Sequence, residues 1–202
     1  MKRHLLIMLT MGMAVMLATS IAFAAVRIKL SPDTPKSEIM NMNPKDIDPS
    51  LLPLDSIEDL HTTGTPQQVN LGTWGLQVKG AKVKYPQSLG YGDLKAMDMV
   101  KKKVILICPG FFVDYVEWEG VEVSTILEKV GLERGYHTIT FHGLDGYSSS
   151  FSREEVEARL LILALKVNGK TLPKDHGFPV RLVAEDILGG RWVKWVSTIE
   201  VE

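Results

Sequence analysis

The chain of 202 residues carries one cysteine, Cys108. That scarcity excludes an internal disulfide framework, and a zinc or iron–sulfur centre built from this chain's cysteines alone. An excess of charge of either sign is lacking as well: 23 Lys and Arg stand against 24 Asp and Glu. No basic ladder appears, so nucleic acid is not expected as a partner. The run Lys101-Lys102-Lys103 reads as the solvated entry to a strand. There is no glycine-rich dinucleotide fingerprint, no P-loop and no internal repeat. Ser148-Ser149-Ser150 is not a strained nucleophile elbow. His61, His137 and His142 show no metal-ligand spacing.

What is present begins with a targeting pattern. Lys2 and Arg3 precede an apolar run from Leu5 to Phe23, and Ala22-Phe23-Ala24 fits a small-x-small cleavage site. The expectation is a signal peptide over residues 1–24. The alternative is an uncleaved membrane anchor, since a run of this length can span a bilayer. Cleavage implies an exported protein, located in the periplasm, with a soluble mature domain. An exposed thiol there is prone to oxidation, so Cys108 is either buried and inert or capped, for example by a metal.

Residues 25–69 include Pro32, Pro35, Pro44, Pro49 and Pro53 and lack a sustained apolar period. They read as an extended arm wrapping the surface, with a helical turn at Ser56–Leu60 capped by Ser56. Residues 70–202 read as one domain. Trp74–Gly80 alternates as a strand, with Ala81–Tyr85 as its partner, and Ser88–Leu94 leads into a short helix. Val104–Cys108 is continuously apolar and ends at Pro109-Gly110, which predicts a central strand. Phe111–Trp118 is partly extended, and Glu119-Gly120-Val121 reads as a turn. Ser124 caps a helix that stops at Gly131. His137–Phe141 is a strand and His142–Ser150 a polar loop. Ser152 and Glu155 form a capping box. Leu160–Val167 reads as a core strand, Asn168-Gly169 as a tight turn, Val180–Ala184 as a strand, and Arg191–Glu202 as the closing strands. The fold class is α+β: mixed sheets, short helices and long structured loops.

Cys108 is the leading candidate for chemistry. A thiolate is a soft anionic ligand, and a strand end before Pro-Gly holds it with little backbone freedom; the bland reading is a small core hydrophobe. His176 either donates a ring hydrogen bond to an anion or steadies its loop through Asp175. Arg181 and Lys194 either clamp an anion or lie on a solvated strand face. Trp192 and Trp195 flank Lys194 and suit the walls of a heterocycle pocket. Asp145 and Tyr147 sit in a Gly-rich loop able to orient a substrate or cofactor. Asp114, Tyr115 and Glu117 follow Cys108 closely, and Trp118 suits the wall of a pocket; Glu117 and Glu119, which flank Trp118, alternatively face water.

The stretch Asn168-Gly169-Lys170-Thr171-Leu172-Pro173-Lys174-Asp175-His176-Gly177-Phe178-Pro179-Val180-Arg181 resembles a run of the sulfite oxidase family's molybdopterin-binding domain. Cys108 with Trp118 and Gly120, Asp145-Gly146-Tyr147, Trp74–Gly80, and Gly190–Val196 are similar to other segments of that family. Within it the chain looks closest to exported methionine-sulfoxide-reductase-like catalytic subunits. The resemblance implies a sulfite-oxidase-type molybdopterin-binding fold and a molybdenum-molybdopterin cofactor. It implies Cys108 as the metal ligand, and His176, Arg181, Lys194 and the Trp192 segment as pterin and phosphate contacts. Asp145 and Tyr147 join Cys108 as catalytic candidates. The implied reaction is oxygen-atom or electron transfer on a small-molecule substrate, such as an S-oxide or N-oxide, with electrons exchanged with a separate redox partner such as a haem or membrane protein. Sulfite is disfavoured, because Phe111 and Phe112 follow the cysteine where sulfite oxidases carry an arginine, and Asp114 lies just beyond. The alternative is a cofactor-free binding or scaffold domain, in which Phe111, Phe112 or a tryptophan fills the pocket.

Overall fold

The computed structural model describes residues 26–202, so the expected signal peptide lies outside the described residues. In chain order the elements are β1 (Ile28–Lys29), α1 (Lys36–Ile39), β2 (Ile47–Asp48), β3 (Leu76–Lys79), β4 (Gln87–Leu89), α2 (Tyr91–Lys95), β5 (Val100–Cys108) and β6 (Phe112–Glu122). They continue as α3 (Val123–Lys129), β7 (Thr138–Gly143), β8 (Ser148–Ser152), α4 (Arg153–Ala158), β9 (Leu161–Val167), β10 (Lys170–Thr171), β11 (Arg181–Ala184) and β12 (Val196–Val201). One sheet runs β10–β9–β6–β5, with β11 also on β9, and is antiparallel throughout. A second runs β4–β3–β12–β7–β8, where only β12 and β3 are parallel. Sheets dominate and helices are short, as the α+β expectation required.

β5 departs from its expectation. It lies at the end of its sheet's path and pairs with β6, so it is not central. It is nevertheless apolar on both faces because both are covered. Val104 and Leu106 join the main core, while Ile105 and Ile107 pack with Val113 and Tyr115 against Leu30, Ile39 and Ile47 of the amino-terminal arm. The strand also starts earlier than expected: Lys101–Lys103 lie within it, exposed, with Lys101 Nζ 3.3 Å from Glu119 and Lys102 Nζ 3.2 Å from Glu185.

Glu119-Gly120-Val121 is strand rather than turn. The register against β9 shifts between Glu119 and Gly120, a bulge. A β-carbon on Gly120 would meet the Leu163 carbonyl oxygen at 2.1 Å, so the glycine serves close approach, not reversal. Much of the expected loop 142–150 is likewise the β7–β8 hairpin. Ser56–Leu60 forms only turns, with Ser56 Oγ donating to Asp59 at 2.8 Å. The partner of β3 is β4, beyond Pro86, and not Ala81–Tyr85. α3 begins at Val123 with Glu122 at its cap; Ser124 Oγ instead donates to the Glu122 carboxylate at 3.2 Å.

Other local signals hold. Ser152 and Glu155 form the capping box of α4, and Asn168 and Gly169 reverse the chain between β9 and β10 at φ +47° and +74°.

Candidate functional site

A cavity of about 320 Å³ opens at the carboxyl end of β5. Cys108, Asp145, Tyr147, His176, Arg181, Trp192 and Lys194 all line it, so every site residue singled out from the sequence reaches one place. They arrive from separate elements. Cys108 ends β5 and Arg181 opens β11; Asp145 and Tyr147 form the tip of the β7–β8 hairpin. His176 closes a short 3-10 turn, Lys174–His176, and Trp192 and Lys194 belong to the link into β12. Gly189 passes so near the thiol that a β-carbon there would sit 2.9 Å from Cys108 Sγ. Phe111 is 82% exposed and Phe112 lines the cavity without filling it, contrary to the pocket expected of a scaffold domain.

Arg181 is the least ordinary group. Its guanidinium is buried, 4.8 Å from the Trp118 ring centroid and 5.6 Å from that of Trp192. Nη1 donates to the His176 carbonyl at 3.2 Å, Nε has no partner, and no carboxylate pairs with it among the described residues. Burial lowers its pKa to about 10, as desolvation must for a cation without a counter-charge. Lys194 donates to the carbonyls of Thr63 at 2.8 Å and Asp175 at 2.9 Å. Burial, then the Arg181 charge, lower it to about 8. Burial and the same two cations push His176 down to about 4, so its imidazole is neutral at pH 7. The site therefore presents convergent positive donors with unmet capacity for an anion.

Cys108 differs in sign. Burial, then the Asp114 charge, raise its thiol pKa, with Arg181 and Lys194 opposing. The free site thus holds a thiol; a bound cation reverses this, because a coordinating thiol is deprotonated. Among the described residues no three His, Cys, Asp or Glu side chains cluster to hold a metal, so a metal at Cys108 takes its other ligands from outside the chain.

His61, which no spacing pattern singled out, also takes part in the site. Its Nδ1 lies 2.7 Å from Asp114 Oδ1, its backbone N–H donates to Oδ2 at 3.2 Å, and its ring stacks on Phe112 at 4.7 Å. Burial raises the Asp114 carboxyl's pKa, and the His61 contacts oppose that. His61 and Asp114 are 53 residues apart, so no spacing rule could pair them. Thr63, Gly64 and Trp195 also line the cavity. Trp195 adopts φ +50°, a conformation costing about 1–3 kcal/mol that is common at functional sites.

Residues 62–202 match the family model described as the oxidoreductase molybdopterin binding domain. The chain belongs to that family. It is 30% identical over 143 residues to the uncharacterized oxidoreductase YuiH of Bacillus subtilis (strain 168), covering 70% of this chain and 71% of that protein. It is 29% identical over 159 residues to mitochondrial sulfite oxidase of Rattus norvegicus, and 33% identical over 120 residues to nitrate reductase [NADH] 2 of Phaseolus vulgaris. Those matches take in 64% and 53% of this chain but only 29% and 14% of the two relatives. The sulfane dehydrogenase SoxCD of Paracoccus pantotrophus shares the fold, with a TM-score of 0.63 at 24% identity over 67% of this chain and 40% of that one.

Molybdopterin is thus the cofactor of this chain's family, and the cavity's chemistry fits it. An unpaired buried guanidinium and the half-buried ammonium of Lys194 suit a phosphate. The indoles of Trp118, Trp192 and Trp195 suit a flat ring system. A lone thiol suits a metal whose other ligands come with the cofactor. No helix among the described residues is long and apolar enough to cross a membrane.

Proposed function

We propose that this domain is a molybdopterin-dependent oxidoreductase that transfers an oxygen atom, or electrons, to or from a small molecule other than sulfite. The observation that carries the reading is Arg181, a buried cation with an unsatisfied Nε in the same cavity as the only thiol. Molybdenum held by the pterin would supply the change of oxidation state that the chain's own side chains lack. Cys108 would hold the metal as thiolate. Arg181 and Lys194 would bind the phosphate, and neutral His176 would donate or accept one hydrogen bond to the pterin. Trp192 and Trp118 would cover the ring and exclude water. Tyr147, whose hydroxyl donates to the Gly190 carbonyl across the cavity mouth, would together with Asp145 orient the substrate.

The cavity carries Asp114 close enough to raise the thiol's pKa, and a second negative charge is disfavoured beside it. This supports a substrate other than sulfite, such as the S-oxide of a methionine-sulfoxide-reductase-like activity or an N-oxide. Electrons would pass to or from a separate redox protein, such as a haem or membrane protein. Export to the periplasm, proposed from the apolar segment Leu5–Phe23, would set where that partner is met.

The test is metal analysis of the protein purified from its native host, beside Cys108→Ser. About one molybdenum per chain, lost in the variant while the pterin phosphate site stays intact, is the expected result. A folded native sample devoid of molybdenum would overturn the proposal.

A further inference from the structure

The segment between β11 and β12, residues 185–195, forms a strap beside Cys108. A β-carbon on its Gly189 would sit 2.9 Å from Cys108 Sγ and 3.2 Å from the Ile107 carbonyl oxygen. The strap's backbone therefore walls one side of the sulfur, and a small displacement of it changes how freely the sulfur is reached. Three anchors tie the strap to the two sheets and α4. Lys102 Nζ lies 3.2 Å from Glu185, the Tyr147 hydroxyl donates to the Gly190 carbonyl, and Arg191 donates to both oxygens of Glu155. The remaining anchors come from the amino-terminal arm. Arg27 Nη1 donates to Asp186 Oδ1 at 3.0 Å and Nη2 to Oδ2 at 2.5 Å, a two-point fork that fixes orientation as well as distance. Leu188 packs into the cluster that holds Leu30, Ile39 and Ile47 of the arm. Asp186 stands at φ +63°, a left-handed conformation that aspartate adopts more readily than most residues and that surrounding contacts must hold. Gly189 follows three residues later, so the fork acts close to the thiol.

We infer that Arg27, acting through Asp186, is a positioning residue of this site: it holds the strap against Cys108, so that the arm governs access to the thiol and retention of the cofactor bound there. Retention rests on the cofactor reading above; access to the thiol does not. The arm thus meets the site twice, through the face of β5 that carries Ile105 and Ile107 and through the strap. The side chains of the fork are 40% and 20% exposed, so its loss loosens the strap rather than unfolding the domain.

Cys108 is the only cysteine, so labelling with a maleimide reads one site. Labelling rates are measured on folded, cofactor-free protein, and molybdenum retained after prolonged dialysis on loaded protein. Arg27→Met and Asp186→Asn should each speed labelling about fivefold, the scale of a lost surface ion pair, with urea midpoints close to wild type. Asparagine also tolerates the left-handed backbone, so Asp186→Asn removes the charge alone. The double variant should label no faster than either single one, because both remove the same bond, and Arg27→Lys should fall between wild type and Arg27→Met. Lys36→Met breaks the arm's ion pair to Asp55, 2.6 Å long, without touching the strap, and should label as wild type. Both single variants of the fork should lose molybdenum on dialysis faster than wild type. Labelling of Arg27→Met at the wild-type rate, additive acceleration in the double variant, or equal acceleration by Lys36→Met would overturn the inference. Faster labelling with unchanged molybdenum loss would overturn the retention half of it. A wild type that carries no molybdenum would overturn the cofactor reading, while the labelling rates still decide the role of Arg27.

Discussion

A buried guanidinium without an acid is expensive in the free protein. Desolvating an ion costs several kcal/mol, and Arg181 recovers only one hydrogen bond to a carbonyl and contact with two indoles. The residue is therefore placed for a ligand at the expense of stability, and the two effects can be separated. Arg181→Met keeps the length and apolar stem but removes the charge. The cofactor-free variant should be as stable as wild type or more so, by up to about 4 kcal/mol, measured by denaturant midpoint. Its molybdenum content after purification should fall sharply. A variant destabilised when free and still fully loaded would show that Arg181 is a structural ion after all. Arg181 was legible as an anion clamp because its residue type carries that chemistry. Its isolation from carboxylates was not, since absence of a partner is a property of the folded interior. His61 was illegible for the converse reason: its partner lies on a distant strand.

Elements were most readable where their signals are local. The Ser152–Glu155 capping box, the Asn168-Gly169 reversal and the apolar run of β9 each depend on neighbours a few residues away, and each appears as the sequence predicts. β5 and β6 were misread because their features come from tertiary partners. β5 is apolar on both faces because the arm covers one of them, not because a strand pairs on each side. Gly120 looks like chain punctuation, yet it lets β6 pass the backbone of β9. Gly120→Ala should therefore cost more than helix or strand propensity would suggest. Its methyl meets backbone atoms of Leu163 and Ala164 that cannot rotate aside. A loss of about 1–3 kcal/mol is expected, the range for overpacking, read from the urea midpoint. A change below a few tenths of a kcal/mol would show that the bulge relaxes freely.

On the scale of the whole molecule, two layers meet the same strand from opposite sides. The arm packs on Ile105 and Ile107, while Leu106 and Cys108 face the cavity. The cavity gathers Arg181, Lys194 and His176 from different elements, so their mutual repulsion acts on the global fold and should appear as pH dependence. His176 has its pKa lowered to about 4 in the folded state, against an ordinary value of about 6.5 when unfolded. Below about pH 6.5 the unfolded chain therefore takes up a proton that the folded chain refuses. The stability that His176 contributes is full above that pH and is lost as pH falls towards 4. In thermal melts of the cofactor-free protein, wild type should lose stability over this window more steeply than His176→Gln. Loading with molybdopterin should flatten the difference, because the bound phosphate offsets the two cations that, after burial, depress the imidazole. Parallel pH curves for the cofactor-free wild type and His176→Gln would mean that the imidazole is charged or solvated in the free protein, and that the cavity is wetter than its burial implies.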